Sequence, residues 1–146
     1  MNWLIKEKVV VPVDLSEFSY SALGIAKNFV VHNSNLYVIH VVRELNPNLT
    51  EGFLGKECTD ERPEVCRQNL RDRLINEYPG INIRVEIGDP GEAIAHFAAS
   101  IRADLIVMTS HGRRGVKEHV LGSVAERVLR LAQCSVLTIK PQAEKR

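Results

Sequence analysis

The chain predicts an α/β fold: a single open, mainly parallel five-stranded sheet with helices on both faces. Three observations predict it. Leu105-Ile106-Val107-Met108 is a continuous apolar run, the mark of a strand covered on both sides. Comparable apolar or β-branched runs recur along the chain, with stretches of helical periodicity between them. Five strands alternating with helices must run mainly parallel and be joined by right-handed crossovers. The 146 residues hold no internal repeat and no linker, so residues 1–146 read as one domain.

The elements follow in order. Lys8 to Val13 is the first strand, and Pro12, which cannot donate a ladder hydrogen bond, marks its end. Asp14-Leu15-Ser16 is a turn, and Ser16 caps a helix running to about Val31. Phe18, Ala22, Ile25, Ala26 and Phe29 recur on that helix at helical spacing. Leu36 to Val42 is the second strand. Arg43 to Arg62 is irregular and long for a compact domain; it reads as either a lid or a disordered loop. Pro63 starts a helix through Tyr78, with Cys66, Leu70 and Leu74 on its buried side and Pro79-Gly80 as its stop. Ile81 to Ile87 alternates apolar with polar, so this third strand is an edge or half exposed. Asp89-Pro90-Gly91-Glu92 is a helix start, and Ile94, Phe97, Ala98 and Ile101 form its buried face. Asp104 leads into the fourth strand, Gly122-Ser123 opens the last helix, and Ser135 to Ile139 is the last strand.

Composition excludes several functions. Net charge is +1 with acids and bases interspersed, and the only local basic bias is the 113–117 loop, so a nucleic-acid partner is not expected. No apolar run reaches membrane-span length, and Met1 to Val10, with Lys6, Glu7 and Lys8, does not read as a signal peptide. Cys58, Cys66 and Cys134 are three scattered cysteines, which fit free thiols in a reducing cytoplasm better than a disulfide framework. His40, Cys58, Cys66 and His111 lack zinc-ligand spacing, so no metal site is expected of the chain itself.

The 109–123 segment carries the chemistry. It leaves the carboxyl end of a parallel strand, where open α/β sheets bind ligands. Gly112 and Gly122 let backbone amides come close to a ligand and are free to take positive φ. The last helix begins at Gly122-Ser123, and a helix start favours an anion. Arg113, Arg114 and Lys117 either clamp phosphates or form a solvated basic loop. Ser123-Val124-Ala125-Glu126 is also a capping box, so Ser123 reads as a cap, a phosphate contact, or each in turn.

Gly112, the nine residues after it, and Gly122-Ser123 resemble the nucleotide loop of the universal stress protein family, Gly-x2-Gly-x9-Gly-Ser/Thr. Thr109 stands where that pattern has its first glycine. Val11-Pro12-Val13-Asp14, His40-Val41-Val42 and Gly88-Asp89-Pro90 resemble further family segments, so the likeness covers essentially the full chain. The resemblance implies strand order 3-2-1-4-5 and an adenine nucleotide, ATP or AMP with or without Mg2+, in the crevice between strands 1 and 4. It implies site residues Pro12, Val13, Asp14, Val41, Met108, Thr109, His111, Gly112, Arg113, Gly122, Ser123 and Val124. Asp14 and the backbone of Val41 would meet the adenine and ribose, with His111 and the Met108 backbone near sugar and phosphates. Read alone, Asp14 is equally a turn aspartate and His111 a structural hydrogen-bonding residue. The resemblance also implies a homodimer, and the last strand, Ser135 to Ile139, is an edge that such pairing would cover.

Fast catalysis is not expected. Gly-x-Ser-x-Gly and Gly-x4-Gly-Lys-Ser/Thr are both absent from the sequence. Ser110 and His111 are neighbours on an extended segment, where side chains are expected to diverge. Slow hydrolysis, with Asp14 or His111 positioning water, is the most the residues suggest. The rival reading is a regulatory dimer of the same fold whose pocket Thr109 closes.

Overall fold

Val9–Pro12 is a strand of four buried residues, and the sheet is built outward from it. This β1 pairs in parallel with β2 (Leu36–Val42) on one side and with β4 (Leu105–Thr109) on the other. Outside them lie β3 (Asn82–Ile87) and β5 (Ser135–Ile139), also parallel, so the order is β3-β2-β1-β4-β5. The structure, a computed structural model, describes residues 2–43, 62–111 and 121–140. The expected lid therefore lies outside the described residues except at its ends, and so do Gly112, Arg113, Arg114, Lys117 and Cys58.

Strand periodicity sorts the core into two layers. Val9 and Val11 point to one face, where α1 (Glu17–Ala26) brings Ala22, Leu23 and Ala26 and α2 (Pro63–Leu74) brings Cys66, Leu70 and Leu74. Val10, Ile39, Ile106 and Met108 point to the other, against Ile94 and Ala98 of α3 (Pro90–Ser100) and Ala125 and Val128 of α4 (Ser123–Leu131). The apolar strands and the helices on both faces are those the sequence predicts.

Four differences have local causes. The buried stripe of α1 is Ser19, Ala22, Leu23 and Ala26, and Ile25 is exposed. Ser19 belongs to the stripe because its hydroxyl is occupied, donating to the Ser16 carbonyl and accepting from Asp14 N–H. The helix also stops at Ala26 and tightens into a 3-10 turn, Lys27–Phe29; the Asn28 amide donates back to the carbonyls of Gly24 and Ile25. α2 ends at Leu74, a turn before the expected stop, and the chain turns through Gly80 at φ +87°. The last helix begins at Ser123 with Gly122 as its N-cap, and no side chain caps it. Ser123 is therefore not the cap, and the capping box expected of Ser123 and Glu126 does not form.

The end of α3 holds a residue under strain. Arg102 N–H bonds Ala99 O and Ala103 N–H bonds Ala98 O, a Schellman closure that requires Arg102 at φ 56°. Glycine is the residue suited to that position. Arg102→Gly is expected to raise unfolding free energy by about 1 kcal/mol, read from urea denaturation midpoints; a loss of stability would contradict the closure.

Tyr78 is buried, and burial pushes its phenol above the ordinary tyrosine range, with the Glu77 charge adding to the rise. Burial raises Tyr20 likewise, against the lowering effect of the Arg73 guanidinium. The folded state thus keeps protons that the unfolded chain sheds near pH 10, so this contribution is full below about pH 10 and is lost as pH climbs further. Unfolding midpoints should fall between about pH 9 and pH 11, and a Tyr78→Phe variant should show a shallower fall.

Candidate functional site

A cavity of about 820 Å³ opens at the carboxyl ends of β1, β2 and β4. It lies where the strand order reverses direction, the switch point at which open α/β sheets bind ligands. β1 and the residues after it contribute Pro12, Val13 and Asp14, and β2 contributes Val41. Met108, Thr109 and His111 come from β4 and its exit, and Gly122, Ser123 and Val124 from the start of α4. Ten of the twelve expected site residues thus line one cavity; Gly112 and Arg113 are outside the described residues.

The turn after β1 is built by side chains. The Asp14 carboxylate accepts from Ser16 N–H at 3.0 Å and from the Ser16 hydroxyl. Ser16 Oγ in turn accepts from Ser19 N–H at 3.2 Å and so caps α1. Between them Leu15 sits at φ 69°, a conformation that costs a non-glycine residue about 1 kcal/mol. Asp14 therefore serves the turn, as the plain reading of the sequence has it, while also lining the cavity.

The opposite wall depends on a close backbone approach. Gly122 N–H donates to Ser110 O at 2.7 Å, and a Cβ on Gly122 would lie 2.8 Å from that same oxygen. Glycine is required there for space; its φ of −62° is ordinary, not the positive value its freedom allows. Ser110 N–H donates to Ile139 O at 2.8 Å, which ties the segment to β5 as well. Glu126 N–H is the first to reach back into the helix, to Gly122 O. The amides of Ser123, Val124 and Ala125 precede it, have no intrahelical partner, and belong to residues that line the cavity.

Two observations at the end of β4 change the sequence reading. Ser110 and His111 do not diverge: Ser110 Oγ and His111 Nδ1 are 2.8 Å apart. The chain turns at this point, and the Thr109 hydroxyl, donating to His111 O at 2.9 Å, holds the turn. Thr109 is 7% exposed, with its hydroxyl committed to the backbone, and the cavity remains open beside it.

The sequence reading missed His40, Arg43, Pro90, Ile94 and Glu126 as lining residues. Glu126 is paired with Arg130 at 2.7 Å, in an exposed i,i+4 contact. Pro90 and Ile94 bring the start of α3 to the cavity, and Arg127 of α4 reaches Asp89 and Glu92 beside them. His40 could have been suspected as the one histidine within the apolar second strand. Among the described residues no group of three or more His, Cys, Asp or Glu side chains is placed to hold a metal ion. Cys66 is buried and Cys134 partly so, and burial pushes Cys134 above the ordinary thiol range, which leaves it protonated and slow to react.

A doubly wound parallel sheet with a cavity at its switch point and a helix start beside it is an architecture that binds ligands at the carboxyl ends of its strands. Residues 6–140 match the Universal stress protein family, and the chain belongs to it. Universal stress protein MJ0531 of Methanocaldococcus jannaschii is 35% identical over 145 residues, covering 92% of this chain and 82% of that protein. The solved structure of MJ0577, from the same organism, superposes with a TM-score of 0.70 at 28% identity, covering 94% of this chain and 98% of the other. An Arabidopsis thaliana family protein with AMP bound shares the fold at 18% identity and a TM-score of 0.57, with 94% of each chain covered. A universal stress protein in complex with cAMP does so at 22% and 0.62, covering 94% of this chain and 99% of that one.

The Gly122–Ser110 contact yields a test. Gly122→Ala places a methyl against a backbone oxygen that cannot step aside. It is expected to lower stability by about 1–3 kcal/mol, read by urea denaturation. A Cβ on Gly91 would lie 2.7 Å from Cβ, Cγ and Cδ of Arg127, the first of them fixed to the α4 backbone, so Gly91→Ala is also expected to cost stability by pushing α3 and α4 apart.

Proposed function

We propose that this protein binds an adenine nucleotide in the cavity between β1 and β4, and that it senses or sequesters the nucleotide rather than turning it over rapidly. The observation that carries the reading is the uncapped start of α4 against an 820 Å³ cavity at the switch point. Its first amides and the positive end of the helix dipole favour a phosphate group. Val41, Met108 and Ile94 supply apolar surface for a base, and Asp14 an acceptor for ribose hydroxyls. Gly112 and Arg113 are proposed for the phosphate side on the strength of the family loop. AMP and cAMP are held by proteins of the same fold, which supports an adenine ligand here. Magnesium would accompany the nucleotide, coordinated by phosphates and water.

Slow turnover is supported by the burial of Ser110, which at 2% exposure leaves its hydroxyl little access to a substrate. The rival reading, a pocket closed by Thr109, is disfavoured because the threonine hydroxyl folds onto the His111 carbonyl. We further propose a homodimer through β5, in the cytoplasm. Among the described residues β5 has a neighbour on one side only, with its apolar residues half-buried.

Calorimetric titration with ATP is expected to give a dissociation constant in the micromolar range, about 8 kcal/mol. Absence of heat and of a thermal shift at millimolar nucleotide would reject the reading. Thr109→Gly is expected to leave affinity unimproved; a large gain would show that the threonine blocks the pocket. For the dimer, Ile139 O faces β4, so strand alternation turns the Thr138 N–H to the open edge. Thr138→Pro should therefore give a monomer in light scattering while the β4 ladder survives; an unchanged dimer would place the interface elsewhere.

A further inference from the structure

We infer that His40 is a specificity-determining residue of the cavity, presenting Nε2 as a fixed hydrogen-bond acceptor that selects ligands carrying an N–H or O–H donor at the β2 wall. The inference rests on the nucleotide reading above and deepens it.

His40 lies near the carboxyl end of β2, in register with Val85 of β3. Its Nδ1 is 2.9 Å from the carbonyl oxygen of Val13, the residue that follows β1. A carbonyl oxygen can only accept, so Nδ1 carries the proton. A neutral imidazole has one ring proton, so Nε2 keeps its lone pair. The bond to Val13 also fixes the ring plane, since it ties a side chain on one strand to the backbone leaving the next. Among the described residues the His40 side chain makes no other hydrogen bond or ion pair, the residue is only partly buried, and it lines the cavity. The Ser19 hydroxyl on the same wall is already committed twice, to Ser16 O and from Asp14 N–H. Nε2 is thus a preset acceptor on a residue that lines the cavity.

An adenine nucleotide offers two kinds of donor, the exocyclic amino group of the base and the ribose hydroxyls. A 6-oxo purine replaces the amino group with an acceptor, and two lone pairs then oppose each other. A 2′-deoxyribose removes a hydroxyl donor without altering the base. The acceptor distinguishes ligands by what they lack, because a part-buried Nε2 left without a donor is unfavourable.

The test uses the whole protein, labelled with 15N, at about pH 8, above the ordinary imidazole range. ATP, ITP and 2′-deoxy-ATP, each with Mg2+, are titrated by calorimetry while long-range 1H–15N spectra follow the ring nitrogens. The free protein should show His40 with Nδ1 protonated and Nε2 bare, and ATP should move the Nε2 resonance. One analogue should bind about 10-fold more weakly: ITP if the base amine is read, 2′-deoxy-ATP if the ribose is. His40→Leu should erase that preference, while His40→Gln, whose amide oxygen accepts, should keep part of it. A protonated Nε2 in the free protein, ATP bound with Nε2 unmoved, or a preference unchanged in His40→Leu would overturn the inference and leave nucleotide binding standing. No heat and no spectral change with ATP would overturn the nucleotide reading itself, and this inference with it.

Discussion

A single backbone hydrogen bond, from Gly122 to the carbonyl of Ser110, joins two walls of the cavity. It joins the exit of β4 to the start of α4 at a distance that excludes any side chain. Because Ser110 is also bonded to Ile139, the same short segment fixes β5. The position of the helix start, and with it the direction of its unpartnered amides, follows from this contact. Ser123 does not cap the helix, whose N-cap is Gly122, and the first residues of α4 line the cavity with no side chain capping them.

The opposite wall uses side chains for the same end. Asp14, Ser16 and Ser19 bond one another around Leu15, which sits in a conformation that glycine would take more readily. His40 then ties β2 to the residue leaving β1. One wall is set by a missing Cβ and the other by a mesh of hydroxyls, a carboxylate and an imidazole. The cavity lies between two fixed boundaries, which favours a preformed site over one assembled around its ligand.

The legible parts of the sequence were those dictated by one-dimensional pattern. The apolar run Leu105 to Met108, the alternation over Ile81 to Ile87 and the Asp89-Pro90 helix start each appear in the structure where the pattern puts them. Strand order came from family resemblance, not from periodicity. The errors fall where a polar side chain takes a local partner. Ser19 displaced Ile25 from the buried stripe because its hydroxyl is satisfied by the turn before it. Ser110 and His111 were expected to point apart because the strand was assumed to continue straight, and the Thr109 hydroxyl bends it. His40 was passed over because its bond reaches a residue distant in sequence, which no local pattern encodes.

The central place of β1 has a consequence for how the molecule comes into being. Val9 and Val10 must pair with Leu36 and Tyr37 but also with Leu105 and Ile106, which are synthesised much later. A nascent chain can join the first three strands, yet one edge of its buried core strand stays bare until the fourth emerges. Closing so long a loop is slow, and an open apolar edge invites mispairing. The half of the protein that carries Gly122 is therefore also the half whose arrival ends the exposure of the first.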